Sequence, residues 1–425
     1  MRKRKTNIFA DIDWTLVLFY LVLIFLGWIN IYAATVTEEH YQIFDFSTLY
    51  GKQLQWIGLS FVLILIIISI DSKFYERFSG IFYIVSLLSL VGLFIFGSTI
   101  NGATSWYNFG GFSVQPSEFA KTATALALAN FLGEHHRDLS MLQNQFTSFA
   151  ILFFPAFLIL LQPDAGSALI YISLLFVLYR EGLPAFYLIT GISGIILFVV
   201  TLYAGFTTSI IIIFTIISLF IAYLINQKKI QFNREWYKIL ALYLITGIFI
   251  FSVDYVYNNI FEQRHRDRFN IILGKTYDPK GIGYNTNQSM ITIGSGGLTG
   301  KGFLEGDRTQ GNFVPEQHTD YIFSTVGEEW GFLGSSAIII IFTAFLLRLI
   351  RVAERQKSKF SRIFGYSVAT IFFFHFMINI GMVIGLVPTI GIPLPFFSYG
   401  GSSLWGFTIL LFIFVRLDAD RTYEW

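Results

Sequence analysis

The 425-residue chain contains no cysteine, which excludes a disulfide framework and any cysteine-ligated metal. Charge is scarce as well: Asp, Glu, Lys and Arg make up 13% of the residues, about half the usual share of a soluble domain. No low-complexity segment, soluble linker or short-period repeat divides the chain, and the net charge of +2 selects no class of partner. The basic start Met1-Arg2-Lys3-Arg4-Lys5 is followed by no small-residue cleavage site. It predicts a retained first helix behind a cytoplasmic tail, not a removed signal peptide.

What is there is mostly oil. Hydrophobic residues make up 54% of the chain, with 48 phenylalanines. Apolar runs recur near 13–34, 54–70, 77–97, 117–132, 147–161, 166–179, 184–204, 208–225, 238–257, 321–347, 366–387 and 401–416. Most are about as long as a ~30 Å hydrocarbon core demands, so the expected fold is an all-α, polytopic bundle of twelve spans. Alternating from a cytoplasmic N-terminus puts most of the 29 lysines and arginines inside, including Lys228, Lys229, Arg234, Lys238 and the run from Arg348 to Arg362. The positive-inside rule favours that orientation. Both termini are then cytoplasmic, and the polar island 258–320 lies outside.

The island ends in Pro315-Glu316-Gln317-His318-Thr319-Asp320, and Tyr321 opens the next apolar run. A carboxylate where an aqueous loop enters membrane is costly to keep, which makes Asp320 the first candidate for chemistry. Low dielectric disfavours the anion of such a group and raises its pKa, while a helix N-terminus favours the anion. Held near neutrality, it can take a proton during reaction. Glu316, His318 and Asp320 alternate, and an extended backbone would point all three one way, a pattern also open to metal ligation. The rival account is structural: Thr319 or Asp320 caps the helix beginning at Tyr321.

Other polar residues gather on the same side. Glu118 and Lys121, three apart, share a helix face and form at least a local ion pair. Asp164, in Gln162-Pro163-Asp164, suits a helix cap. Gln263-Arg264-His265-Arg266-Asp267-Arg268 suits phosphate or anionic headgroups. The turn-rich Asp278-Pro279-Lys280-Gly281-Ile282 follows. The glycine run from Ile293 to Gly302, ending beside Lys301, permits close backbone approach to a ligand or simple flexibility; its spacing is not that of a nucleotide loop. Glu328, two helical turns past Asp320, would lie roughly 12 Å deeper. His375 is read as a packing residue. Pro388, Pro393 and Pro395 rule out regular helix, so that stretch is expected to be a re-entrant turn lining a cavity.

Asn379, Gly385-Leu386-Val387-Pro388-Thr389, Gly391-Ile392 and Phe396-Phe397-Ser398-Tyr399-Gly400-Gly401-Ser402-Ser403 resemble the signature of the shape, elongation, division and sporulation (SEDS) proteins. Gln115-Pro116-Ser117-Glu118, Gln162-Pro163-Asp164 and Pro315-Glu316 with His318-Thr319-Asp320 are similar to its other motifs. The stretch from Ile293 to Phe303 resembles the rod-shape branch more than the division branch. The resemblance implies ten family helices, with 205–257 as an added hairpin. It implies a peptidoglycan glycosyltransferase of the bacterial inner membrane that polymerises lipid II, with Asp320 as the catalytic residue. Trp106, Glu118, Lys121 and Asp164 match motif positions of the substrate site. Gln288, Ser289, Glu316, His318 and Ser398 are expected beside them, with Arg266, Arg268 or Lys301 on the diphosphate. A divalent cation (Mg or Mn) is a candidate cofactor. The expected partners are a class B penicillin-binding protein (a transpeptidase), other elongation-complex membrane proteins and membrane lipids, with no nucleic acid. Two readings from other classes stay open: a lipid II flippase, with Glu328, Glu329 and His375 as a proton path, and a non-catalytic scaffold.

Overall fold

The structure, a computed structural model, describes residues 11–36, 42–100, 102–134, 136–229, 232–261, 263–275 and 283–421. The turn-rich stretch 278–282 lies outside the described residues. Helices dominate: α1 (Trp14–Thr35), α2 (Leu49–Ser69) and α3 (Ser72–Phe96) come first, each opened by a side-chain cap from Asp13, Thr48 and Asp71 respectively. Next come three short antiparallel strands, β1 (Ser98–Ile100), β2 (Ala103–Asn108) and β3 (Ser113–Val114). Tyr107 of β2 donates to the carbonyl of Ser89 at 2.8 Å, anchoring the sheet on α3.

Helix α4 (Pro116–Gly133) follows, then α5 (Leu142–Leu160). The expected span 166–179 is broken: α6 (Ala165–Ile170), a 3₁₀ turn at Tyr171–Ser173, then α7 (Leu174–Arg180). Helix α4 is alanine-rich and buried nearly all round; small residues let neighbouring helices approach closely in a membrane bundle. It packs against α3 and against the helix at Lys359–Val383.

Residues 185–284 form a compact unit of their own, with α8 (Ala185–Ala204), α9 (Phe206–Asn226), α10 (Phe232–Tyr255) and α11 (Gln263–Ile272). Helices α9 and α10 pack together, with Phe214 and Tyr243 edge-on at 4.9 Å. Both also pack on α8.

The main unit resumes with α12 (Tyr284–Ser295) and the short α13 (Asp307–Gln310). The expected span 321–347 is two helices, α14 (Ile322–Glu329) and α15 (Gly331–Glu354), broken at Gly331 with φ +64°. Helices α16 (Lys359–Val383) and α17 (Gly401–Asp420) complete the chain. Ten of the described helices are long and apolar enough to cross a membrane. The shorter α4 and the broken α6–α7 segment are not among them, so twelve full-length spans are not what these helices give.

Two features lock the bundle's ends. At one, the Asp13 carboxylate takes Arg348 at 2.6 Å and Arg355 at 2.7 Å, and buried Asp418 takes Arg355, Gln356 and Arg421. At the other, the glycine run lies backbone to backbone against the α14–α15 break: Lys301 and Gly302 amides donate to the carbonyls of Glu328 and Glu329, and Phe332 and Leu333 amides to those of Gly297 and Leu298. The backbone of the run is thereby committed to the α14–α15 break. A Cβ at Gly300, where φ is +81°, would sit 2.1 Å from the Glu329 carbonyl oxygen. Gly300→Ala should lower the thermal midpoint in detergent by the equivalent of roughly 1–3 kcal/mol. Gly294→Ala, where a Cβ meets nothing within 4 Å, should leave it unchanged or raise it; equal midpoints would contradict this packing.

Candidate active site

The proline-broken stretch between α16 and α17 passes through the core. Phe396, at φ +63°, is buried in a cage of rings, 5.1 Å from Tyr20, 5.2 Å from Phe372 and 5.9 Å from Phe407. Gly27 of α1 makes room beside it, since a Cβ there would lie 2.6 Å from the Phe397 Cα. The end of the polar island is pinned onto this turn. The Ser398 hydroxyl donates to the Thr319 carbonyl at 2.7 Å and accepts from the Leu394 amide at 2.8 Å. The Tyr399 amide donates to the His318 carbonyl at 2.9 Å. Asn379 of α16 donates to the carbonyls of both Asp320, at 2.8 Å, and Ile392, at 2.7 Å. Hydroxyls of Thr286, Tyr321 and Thr389 close a third tie between the segments, the shortest at 2.7 Å.

These contacts fix the Asp320 backbone and leave its carboxyl to the site. The expectation that it caps a helix is overturned: α14 begins at Ile322 with Tyr321 as its N-cap and no side-chain cap bond. The extended run expected through Glu316, His318 and Asp320 is instead a series of turns. Glu316 takes φ +56°, and its carbonyl accepts the Thr319 amide at 3.1 Å. Folding back in this way still gathers acidic groups. Burial pushes the Asp320 carboxyl up to about 7, and the Glu316 and Asp164 carboxylates push it the same way. The side chain is nonetheless only half-buried, so it is reachable. Gly391, at φ +78°, faces it: a Cβ there would come within 3.2 Å of Asp320 Oδ2. Burial lowers the basicity of His318, against the opposing pull of Glu316, and its ring meets Tyr399 edge-on at 5.6 Å.

Asp164 does cap α6, accepting the Ser167 amide at 3.0 Å, and its other oxygen takes the Gln115 side chain at 3.0 Å. Gly166, two residues on, packs beneath the Ile390 carbonyl, which brings α6 to the proline turn. Glu118 and Lys121 form the expected pair, both oxygens at 2.9 Å and each residue 3% exposed. Lys121 also lies 2.9 Å from His375 Nε2. The packing role read for His375 from the sequence leaves out this contact, although its i,i+4 spacing from Asn379 puts both on one helix face. Trp106 lies half-buried in β2, opposite Ser98.

Several candidates have prior commitments. Ser289 is fully buried and donates to the Val383 carbonyl at 2.9 Å, which corrects its placement among substrate ligands. Gln288 accepts from Arg308, and Ser398 is the latch described above. Lys301 is paired with Glu328 at 2.8 Å and Asp307 at 3.1 Å. Arg266 belongs to the 185–284 unit and donates to the Asn258 carbonyl at 3.3 Å; the Arg268 side chain lies outside the described residues. Glu328 is committed to structural bonds. It is fully buried and accepts from Lys301, the Arg308 and Thr309 amides, and the Thr309 and Ser295 hydroxyls. Among the described residues no three His, Asp or Glu side chains converge to hold a metal ion. The candidate cation therefore has no preformed cage in these residues.

Known proteins resemble this chain over nearly its whole length. The family described as "Cell cycle protein", that of FtsW, RodA and SpoVE, matches residues 13–423. The peptidoglycan glycosyltransferase RodA of Treponema pallidum is 31% identical over 97% of this chain and 98% of its own length. The peptidoglycan glycosyltransferase MrdB of Escherichia coli K12 is 32% identical over 83% of this chain and 81% of its own. Among solved structures, a chain from a peptidoglycan synthase complex that coordinates polymerization and crosslinking superposes with a TM-score of 0.71. It shares 26% identity over 97% of this chain and 99% of that one. RodA of Thermus thermophilus shares the fold, with a TM-score of 0.63 at 24% identity, over 97% of this chain and 98% of its own. The chain is thus a multi-pass membrane protein that belongs to the FtsW/RodA/SpoVE family, the SEDS proteins.

Proposed function

We propose that this chain polymerises lipid II into glycan strands during cell elongation, by an inverting glycosyl transfer with Asp320 as general base. The observation that carries the proposal is the state of Asp320: a reachable carboxyl, held by three sets of backbone ties, with its proton affinity raised to about 7. A base poised near the working pH combines correct ionisation with useful basicity. Asp320 takes the proton from the 4-hydroxyl of the acceptor N-acetylglucosamine. That oxygen bonds to C1 of the donor chain's N-acetylmuramic acid as the C1–oxygen bond to phosphate breaks, and undecaprenyl pyrophosphate leaves with the electron pair.

Lys301 is our candidate for the developing diphosphate charge. One of its two carboxylate partners, Asp307, is 87% exposed, so a phosphate oxygen can take that place while Glu328 keeps the ammonium oriented. No step is assigned to a metal. We place the island 258–320 outside the bacterial inner membrane with both termini in the cytoplasm, a reading supported by the distribution of lysine and arginine. A class B penicillin-binding protein is the partner we assign, supported by the likeness to a chain of a synthase complex; membrane proteins of the elongation complex join it.

The test is direct. Purified wild-type protein given lipid II in detergent, alone and with the transpeptidase partner, should yield glycan polymer. Asp320→Asn should lose roughly 10²–10⁴ in rate, the scale of general-base catalysis. Equal polymer from both proteins removes Asp320 from catalysis, and no polymer in any condition returns the flippase reading to first place.

A further inference from the structure

Helix α16 meets the proline turn with two polar side chains one helical turn apart, His375 and Asn379. Asn379 takes the carbonyl of Ile392. His375 reaches the next carbonyl: its Nδ1 lies 3.3 Å from the Pro393 oxygen. Proline has no N–H, so that oxygen is the one backbone group by which this residue can be held. The other ring nitrogen, Nε2, lies 2.9 Å from the Lys121 ammonium. An ammonium has only hydrogens to give; Nε2 therefore accepts, the ring proton sits on Nδ1, and Nδ1 donates to Pro393.

Lys121 in turn holds both oxygens of Glu118 at 2.9 Å. Phe407 fixes the arrangement from the side, its ring edge-on to the imidazole at 4.8 Å and beneath the ammonium at 5.2 Å. His375 is 1% exposed, and its two nitrogens bond to two different elements. A side chain kept only for packing needs neither bond, and burying an imidazole without them is unfavourable.

We propose that His375 is a positioning residue: with its ring proton directed to Nδ1 by Lys121, it holds the Pro393 turn and so sets the wall that faces Asp320. The contact it sets is Gly391, two residues before Pro393 and the point of close approach to the Asp320 carboxyl. Misplacing a reactant by an ångström costs on the order of 10² in rate, so a turn held from one side only is a kinetic liability. The inference rests on the reading of Asp320 as the base.

Two substitutions separate the halves of the link. Asparagine puts an amide N–H where Nδ1 stands, and glutamine puts an amide oxygen near Nε2. His375→Gln keeps the lysine contact and releases Pro393. Hydrogen exchange at the Leu394 and Tyr399 amides should then quicken about tenfold, the scale of one buried hydrogen bond. With lipid II as substrate, kcat should fall about tenfold or more while KM stays within about twofold, the mark of misplacement at the reacting atoms. His375→Asn should stay near wild type in both. The proposal is overturned if His375→Gln leaves exchange and kcat unchanged, or if His375→Asn lowers kcat as far as His375→Gln. A variant-free measurement stands behind both: nitrogen NMR of the wild-type imidazole should show Nδ1 protonated and Nε2 bare, and a proton on Nε2 instead overturns the link even if neither variant folds. Wild-type protein that makes no polymer would sink the glycosyltransferase reading, while the exchange and NMR results would still decide the role of His375.

Discussion

A backbone that cannot be helical, sunk among membrane helices, must find partners for its amides and carbonyls within the protein. The stretch carrying Pro388, Pro393 and Pro395 is that backbone, and the main unit is arranged around satisfying it. Asn379 and His375 take successive carbonyls from the α16 side. Ser398 and the Tyr399 amide close onto the carbonyls of Thr319 and His318. Phe396 plugs the turn into the aromatic core, a burial worth about 1.5–3 kcal/mol. Because the same bonds that satisfy the turn also hold 318–320, fixing the turn fixes Asp320.

That coupling explains how a costly carboxyl is kept where it is. Its backbone is held by structure, so its side chain need not bond to anything, and among the described contacts none neutralises it. The nearby charges are acidic: Glu316 and Asp164 raise its proton affinity further. Asp164 is itself anchored, by its cap on α6 and by Gln115. By contrast Glu328, two turns on, accepts five hydrogen bonds and acts as a structural anchor for the Lys301–Thr309 segment. Two carboxylates in one short stretch thus differ in state by virtue of what surrounds them.

Much of this was legible from residues alone. Long apolar runs identify spanning helices whatever their partners, and the i,i+3 spacing of Glu118 and Lys121 and the turn character of Gln162-Pro163-Asp164 were sufficient for an ion pair and a cap. Helix ends were less legible. Helix α2 starts at Leu49 rather than 54 and α3 at Ser72 rather than 77, because Lys52, Lys73 and Glu76 continue the helix without adding apolar character. Helix α16 stops at Val383 rather than 387 because Gly385, at φ +77°, turns the chain within an apolar run. Partners distant in sequence were not legible at all. Nothing local says that Ser289 will meet Val383, that Lys121 will meet His375, or that the glycine run will lie against Glu328 and Glu329. At Asp320 the environment replaced the capping account with an electrostatic one.

The central claim is that a carboxyl with its proton affinity raised by burial and by acidic neighbours serves as the base. A base must be ionised to accept a proton, so activity should fall as pH drops through its folded-state value. The pH dependence of kcat/KM for lipid II polymerisation reads this directly. The account predicts a single acidic limb with an apparent midpoint near about 7, displaced to lower pH in Glu316→Gln because one repelling charge is gone. A profile that is flat from pH 5 to 9, or a limb that Glu316→Gln leaves in place, would contradict it.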